Sequence, residues 1–175
     1  MGKAKTLDGS SGGARMASWL DLEREAPDIA RAGHAGLDRD RVALLGTLRH
    51  DGSPRISPVE PLFAHGELVF GVMAWSGKAR DLRRDHRCVL HSPISQPDAG
   101  EDELKLYGLA EPVGDLLRAA CHQAWWFHEP RTAADAYTLN VTEAVLIKWD
   151  LGRGRMVTSH WSPLHGLQER ERRYP

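Results

Sequence analysis

The sequence predicts a mainly β fold with flanking helices, a small antiparallel barrel of about six to eight strands. Three observations point there. Short apolar runs alternate with tight-turn signals, most plainly between Val42 and Val72, where Asp51-Gly52 and His65-Gly66 divide three strands of a meander. Helical patterning is confined to a few short stretches, so the regular β-α-β alternation of a parallel sheet is missing. A length of 175 residues, 41% hydrophobic and 27% charged, suits one globular domain.

Each element has a local reason. Residues 1–15 are rich in Gly and Ser and have no apolar face, so they read as a flexible leader before a folded domain at 16–175. Ser18 caps a first helix with the apolar stripe Trp19, Leu22, Ala26, Ile29 and Ala30; Pro27 kinks or splits it, and Gly33 and Gly36 end it. Residues 42–48, 55–59 and 68–72 are the meander strands. A helix from Ser76 to about Arg84 turns Ala79 and Leu82 inward, and 88–90 is a fourth strand. The polar stretch 93–102 is a loop. Residues 104–113 form a fifth strand with Gly108 as a bulge or bend. An amphipathic helix at 115–127 places Leu116, Leu117, Ala120, Cys121 and Ala124 inward. Strands at 136–141, 144–149 and 155–160 complete the set.

Bulk properties exclude several function classes. A net charge of −1 does not suit a general nucleic-acid or anionic-membrane surface. There is no apolar run of the roughly 18 residues that a membrane span needs, and no signal-peptide pattern. Cys88 and Cys121 are too few and too distant for a disulfide framework and read as reduced thiols of a cytoplasmic protein. The histidines are scattered: His86/His91 and His122/His128 lack the i,i+4 spacing of a helical zinc pair, so no metal site is expected. No G-x-S-x-G elbow is present. Trp125-Trp126-Phe127 reads as core or subunit interface.

The segment richest in chemistry is Trp75-Ser-Gly-Lys-Ala-Arg-Asp-Leu-Arg-Arg-Asp85. Ser76 and Gly77 open a helix, and Lys78 falls in its first turn, where free amides and the positive dipole end attract a phosphate. A Lys at that position runs against the dipole's preference for acids, which a bound anion would offset. An ordinary N-cap on a solvated basic helix accounts for the same residues. Arg55 adds a forked cation, with the Ser57 hydroxyl two residues on and so on the same strand face. By itself Arg55 is equally an exposed hairpin residue. Arg80, Arg83, Arg84 and Arg87 make a further basic cluster.

Taken together, Asp51-Gly-Ser-Pro-Arg-Ile-Ser57, the strand Glu67-Leu-Val-Phe70 and Ser76-x-Lys78-x-x-x-Leu82-x-x-Asp85 resemble the pyridoxamine 5'-phosphate oxidase-related superfamily of FMN- and deazaflavin-binding proteins. The likeness is strongest over 42–90. It implies a split β-barrel that forms a homodimer with FMN at the subunit interface. By the same resemblance, Arg55, Ile56 and Ser57 contact the cofactor's ring and phosphate, and Gly71 and Val72 lie beneath the ring. Ser76 and Lys78 bind the phosphate, and Trp161 approaches from the partner subunit. The sequence departs from the oxidase itself: Glu60 stands where that enzyme has a Lys, and Pro163-Leu164-His165 does not reproduce its substrate-binding arginine and histidine. The implied activity is therefore that of a flavin-dependent oxidoreductase acting on some other small molecule. A deazaflavin coenzyme is the alternative, its anionic tail meeting Arg80, Arg83 or Arg84. A non-catalytic flavin or haem carrier, with His128 or His160 as haem ligand, is a further one, as is a structural dimer holding another phosphorylated ligand.

Overall fold

The structure is a computed structural model and describes residues 15–94, 96, 99–124 and 134–173. Residues 1–14, the aromatic cluster Trp125–Phe127 and His128 lie outside the described residues.

Among the described residues there are eight antiparallel strands: β1 (Ala43–Leu48), β2 (Pro54–Ala64), β3 (Glu67–Met73), β4 (Arg87–His91), β5 (Glu103–Pro112), β6 (Ala134–Asp150), β7 (Arg155–Ser162) and β8 (Gly166–Arg173). Their order is β3-β2-β1-β4-β5-β6-β7-β8, and a β3–β6 ladder closes the first six into a barrel. Helices α1 (Trp19–Glu25) and α2 (Pro27–Asp40) pack Trp19, Leu22, Ile29 and Leu37 into the same core as Leu45, Phe70, Leu90, Leu106, Leu139 and Trp161. Helix α3 (Gly77–Arg84) follows β3, and α4 (Asp115–Ala124) buries Cys121 against Val69, Val113 and Ala136. Among the described residues no helix is long and apolar enough to cross a membrane.

Strand β2 carries the feature that shapes the site. Its first half, Pro54 to Val59, pairs with β1; its second half, Glu60 to Ala64, pairs with β3. The changeover explains how a strand of 11 residues tolerates three prolines. Proline cannot donate to a ladder, so it needs a position where one edge has no neighbour. Pro58 lies where only β1 is paired, and Pro61 where only β3 is. Beyond the Glu60–Gly71 pair β3 runs on to Met73 against β6 alone, and a cleft lies at this changeover.

Several elements differ from the sequence expectation. Pro27 does split the first helical stretch, taking the first position of α2, but Gly33 and Gly36 do not end it. The helix continues to Asp40 and stops at Arg41, which adopts the left-handed conformation at φ 53°. Gly33 is a packing residue: a Cβ there would lie 2.7 Å from Leu104 Cδ2 and 3.2 Å from the Trp19 ring. The two strands expected at 136–149 are one 17-residue strand, β6. It is continuous because different partners claim its two ends, β3 at the start and β7 at the finish, with β5 bridging the middle. Strand β8 was not expected, since Gly-Leu-Gln-Glu-Arg-Glu-Arg-Arg shows no apolar alternation. It is exposed along nearly its whole length and is held by the β7 ladder and the Arg155–Glu171 and Ser159–Glu169 pairs. Leu116, expected inward, is 67% exposed.

Gly108 marks the one register shift of the β5–β6 ladder, as expected for a bulge. A Cβ at that position would lie 2.2 Å from the Asn140 carbonyl oxygen, so backbone must move. Gly108→Ala is expected to lower the urea midpoint by the equivalent of about 2–3 kcal/mol. Gly36→Ala, where a Cβ meets nothing within 4 Å, should raise it by the equivalent of about 0.5–1 kcal/mol.

Candidate functional site

The hairpin β1–β2 and the first turns of α3 meet at one corner of the barrel. In the β1–β2 register Thr47 lies opposite Arg55, so both side chains leave the same face. Both end on one carboxylate oxygen. Asp81 Oδ2 accepts from Arg55 Nε at 2.6 Å and from Thr47 Oγ1 at 3.0 Å, and Arg84 stands 3.7 Å from the other oxygen. Asp81 is only 3% exposed. Burial acts to raise its pKa, but the hydrogen bonds from Arg55 and Thr47 and the charges of Arg55 and Arg84 outweigh it, so the carboxyl titrates below its ordinary range.

Arg55 gives Asp81 its Nε only. Its two terminal nitrogens lie against the start of α3, where a Cβ on Gly77 would come within 2.9 Å of Cζ and Nη1. The absent side chain is what lets the guanidinium reach the first turn. There Ser76 acts as N-cap, its hydroxyl accepting from Ala79 N at 3.2 Å. Gly77 and Lys78 present amides for which a helix start provides no carbonyl. The two separated motifs, Arg55 and Ser76–Lys78, thus converge on one corner whose donors all suit an anion.

Lys78 leaves the helix on the adjoining side. Its ammonium donates to the Pro58 carbonyl, on the edge of β2 that β3 has left. Burial lowers the pKa of this amine. Together with Val42, Pro58, Val59, Glu60 and the β3 end Gly71–Met73, Lys78 lines a cleft of about 200 Å³. Gly71 sits directly opposite Glu60 there, while the Val72 side chain is buried. A larger hollow of about 770 Å³ shares Val42 and Glu60 with it and continues past Asp38, Arg41 and Leu62 toward Ala124.

Ser57 is half-buried on the Arg55 face. Ile56 points the other way and is 73% exposed. It heads an outer row that the ladders align across four strands: Ile56, Gly46, Val89 and Tyr107. Pro58 and Leu44 form the beginning of the next row. Trp161 is not brought to the site. Its ring is fully buried in the barrel core, opposite Ala144 and Leu167, so it acts here as a packing residue and offers no face to a ligand from outside.

The basic cluster is largely engaged within the chain. Arg83 pairs with Asp135, Arg84 donates to the Leu48 carbonyl, Arg87 pairs with Asp85, and Arg80 donates to the Trp75 carbonyl at 3.0 Å. His34, His86, His91 and His160 each face a carboxylate, and among the described residues no group of three or more side chains could hold a metal ion. Asp81 and Thr47 are the members of this corner that sequence reasoning missed. The available signal was an acid on the barrel side of an otherwise basic helix, next to Leu82.

No protein-family model and no curated protein sequence matches the chain. Solved structures do. A pyridoxamine 5'-phosphate oxidase-related, FMN-binding protein from Nostoc punctiforme superposes with a TM-score of 0.67 at 13% identity, over 87% of this chain and 98% of that one. This is the split-barrel fold of the pyridoxamine 5'-phosphate oxidase-related proteins. Burkholderia lata PhzG, solved with tetrahydrophenazine-1-carboxylic acid, shares the split barrel with a TM-score of 0.59 at 13% identity, over 89% and 95% of the two chains. A haem-binding protein from Mycobacterium smegmatis shares it with a TM-score of 0.54 at 17% identity, over 82% and 88%.

The Arg55–Asp81 pair gives the split barrel a defined acid sensitivity. A carboxyl whose folded pKa is depressed stabilises fully above its unfolded pKa of about 3.9 and loses that contribution as pH falls through the folded value. The difference in urea midpoint between wild type and Asp81→Asn should therefore be constant near neutrality and shrink below about pH 4. A difference independent of pH would mean that Asp81 is not an ionised partner.

Proposed function

We propose that this protein is an FMN-binding oxidoreductase of the pyridoxamine 5'-phosphate oxidase-related type, a homodimer acting on a small molecule. The observation that carries the reading is the approach of Arg55 to Gly77, which joins two motifs roughly twenty residues apart into one anion corner. The donor set fits a ribityl phosphate. Arg55 and Lys78 are cations, Arg84 offsets the charge of Asp81, and the α3 start adds amides and a positive dipole end. Bound flavin would supply hydride transfer, while the chain supplies position and electrostatics. Arg55 and the Gly77 and Lys78 amides would hold the phosphate end, joined by the Lys78 ammonium once it leaves the Pro58 carbonyl. Gly71 and Val72 would support the ring in the adjoining cleft, with Ser57 beside Arg55. The hollow bounded by Asp38, Arg41 and Leu62 is the space for the substrate.

Size and surface support the homodimer. A cleft of about 200 Å³ falls below the roughly 300–1,000 Å³ of a site that encloses a small ligand. Strand β2 meanwhile turns Ile56 and Pro58 outward onto a row of apolar side chains. A second copy seated on that face would shield the row and deepen the cleft. FMN suits the site better than a deazaflavin with an anionic tail, because Arg83 and Arg84 already face acids and Arg80 is turned to the Trp75 carbonyl. The two cysteines, buried and unpaired, suit a cytoplasmic protein.

Fluorescence titration tests the reading. FMN should bind the wild-type protein, and Arg55→Gln should weaken FMN by about 10- to 100-fold while leaving riboflavin, which has no phosphate, nearly unchanged. A wild-type protein that neither binds FMN nor gains thermal stability from it would end the flavin assignment. Ile56→Glu should shift the sedimentation coefficient from dimer to monomer, since it buries a charge in the apolar row.

A further inference from the structure

We propose that Asp81 is a positioning residue for the phosphate grip: it fixes Arg55 through Nε so that both terminal nitrogens stay aimed at the start of α3. This rests on the reading that the corner holds a phosphate.

The geometry of the pair is the first argument. An arginine recruited only to neutralise a buried acid can present two nitrogens to the two carboxylate oxygens. Here the contact is through Nε alone, to one oxygen, at 2.6 Å. Nη1 and Nη2 remain at the Gly77 backbone, where a methyl group would collide with them. The edge of the guanidinium that matches a phosphate in forked geometry is the edge left over.

The second argument is how firmly the carboxylate is itself held. Asp81 leaves the middle of α3, and its Oδ2 takes a second hydrogen bond from Thr47, the cross-strand neighbour of Arg55. Helix and hairpin are thereby tied at a point between them, and the Arg55 side chain, 30% exposed, is anchored before any ligand arrives. A side chain held in its bound orientation loses less freedom on binding. The third argument is charge. A carboxylate beside Arg55 would weaken its attraction for an anion, but Arg84 at 3.7 Å supplies a second cation to the same group. The corner keeps a net positive charge with the strut in place.

The test compares two ligands, FMN and riboflavin, on the wild-type protein and its variants. Asp81→Asn keeps the shape and an oxygen acceptor but removes the charge; Thr47→Val keeps the carboxylate and removes one of its anchors. Near-UV circular dichroism and melting verify that each is folded, and Thr47→Val serves should Asp81→Asn fail to fold. A positioning role predicts about tenfold weaker FMN binding for Asp81→Asn and a smaller loss for Thr47→Val, with riboflavin affinity within about twofold of wild type. Adding Arg55→Gln to Asp81→Asn should then cost less than it does alone. Equal losses for FMN and riboflavin would make Asp81 merely structural and overturn the proposal. Unchanged or tighter FMN binding by Asp81→Asn would overturn it too, showing that the carboxylate only competes for Arg55. Should wild-type protein bind no FMN, the flavin reading falls separately, and inorganic pyrophosphate at matched ionic strength becomes the probe. A loss of pyrophosphate affinity in Asp81→Asn then supports the positioning role, and no loss ends it.

Discussion

The site depends on one constraint: β2 cannot keep the same neighbour along its whole length. Three prolines deny it ladder donors at Pro54, Pro58 and Pro61, and a strand interior tolerates proline only at an unpaired edge. The strand meets this by pairing with β1 first and β3 afterwards. The cleft is the geometric result of that exchange. At the changeover the Pro58 carbonyl has no strand to accept from, and the Lys78 ammonium takes the place of a backbone donor. A basic residue in the first turn of a helix, unfavourable by the dipole alone, is thereby given a fixed direction along the cleft wall.

The second organising contact is the Asp81 carboxylate. At 3% exposure its charge would be costly without partners, since removing one side of a buried pair costs about 3–5 kcal/mol. It therefore holds the β1–β2 hairpin and α3 in register with one another, and the placement of Arg55 at the α3 start inherits its precision from that requirement. Gly77 belongs to the same arrangement. It is needed for close approach and not for its own backbone conformation, which is why Arg55 can lie directly on the helix start.

How much of this could be read from the sequence follows from which interactions are local. The Asp51-Gly52 turn, the His65-Gly66 turn, the Ser76 cap and the Pro27 break depend on neighbours within a few residues, and each lies where local chemistry places it. Their spacing predicts the meander and the barrel. What eluded sequence reasoning is set by distant partners. Gly33 looks like a helix terminator until Leu104 and Trp19 are seen against it. Strand β8 has no amphipathic signature because both its faces are exposed and only the ladder to β7 holds it. Asp81 reads as one acid among many until Thr47 and Arg55 are brought to it from 34 and 26 residues away. The resemblance has Trp161 approaching from the partner subunit, yet its place opposite the buried Ala144 turns its ring into the core.

The alternation of β2 links these threads. Arg55, Ser57 and Val59 face inward and Ile56, Pro58 and Glu60 outward, so one strand carries Arg55 on one side and the apolar row on the other. Because side chains alternate with a period of two, neither set can shift without moving the other. The prolines that interrupt the ladder also stiffen the backbone between the two sets. Under the proposed function, cofactor binding and subunit association therefore share a single mechanical element. Ordering β2 against a second copy would steady Arg55 for the phosphate, and holding the phosphate would steady the outward row for the second copy. By linkage, whatever one of these events contributed to the other would be returned in equal free energy.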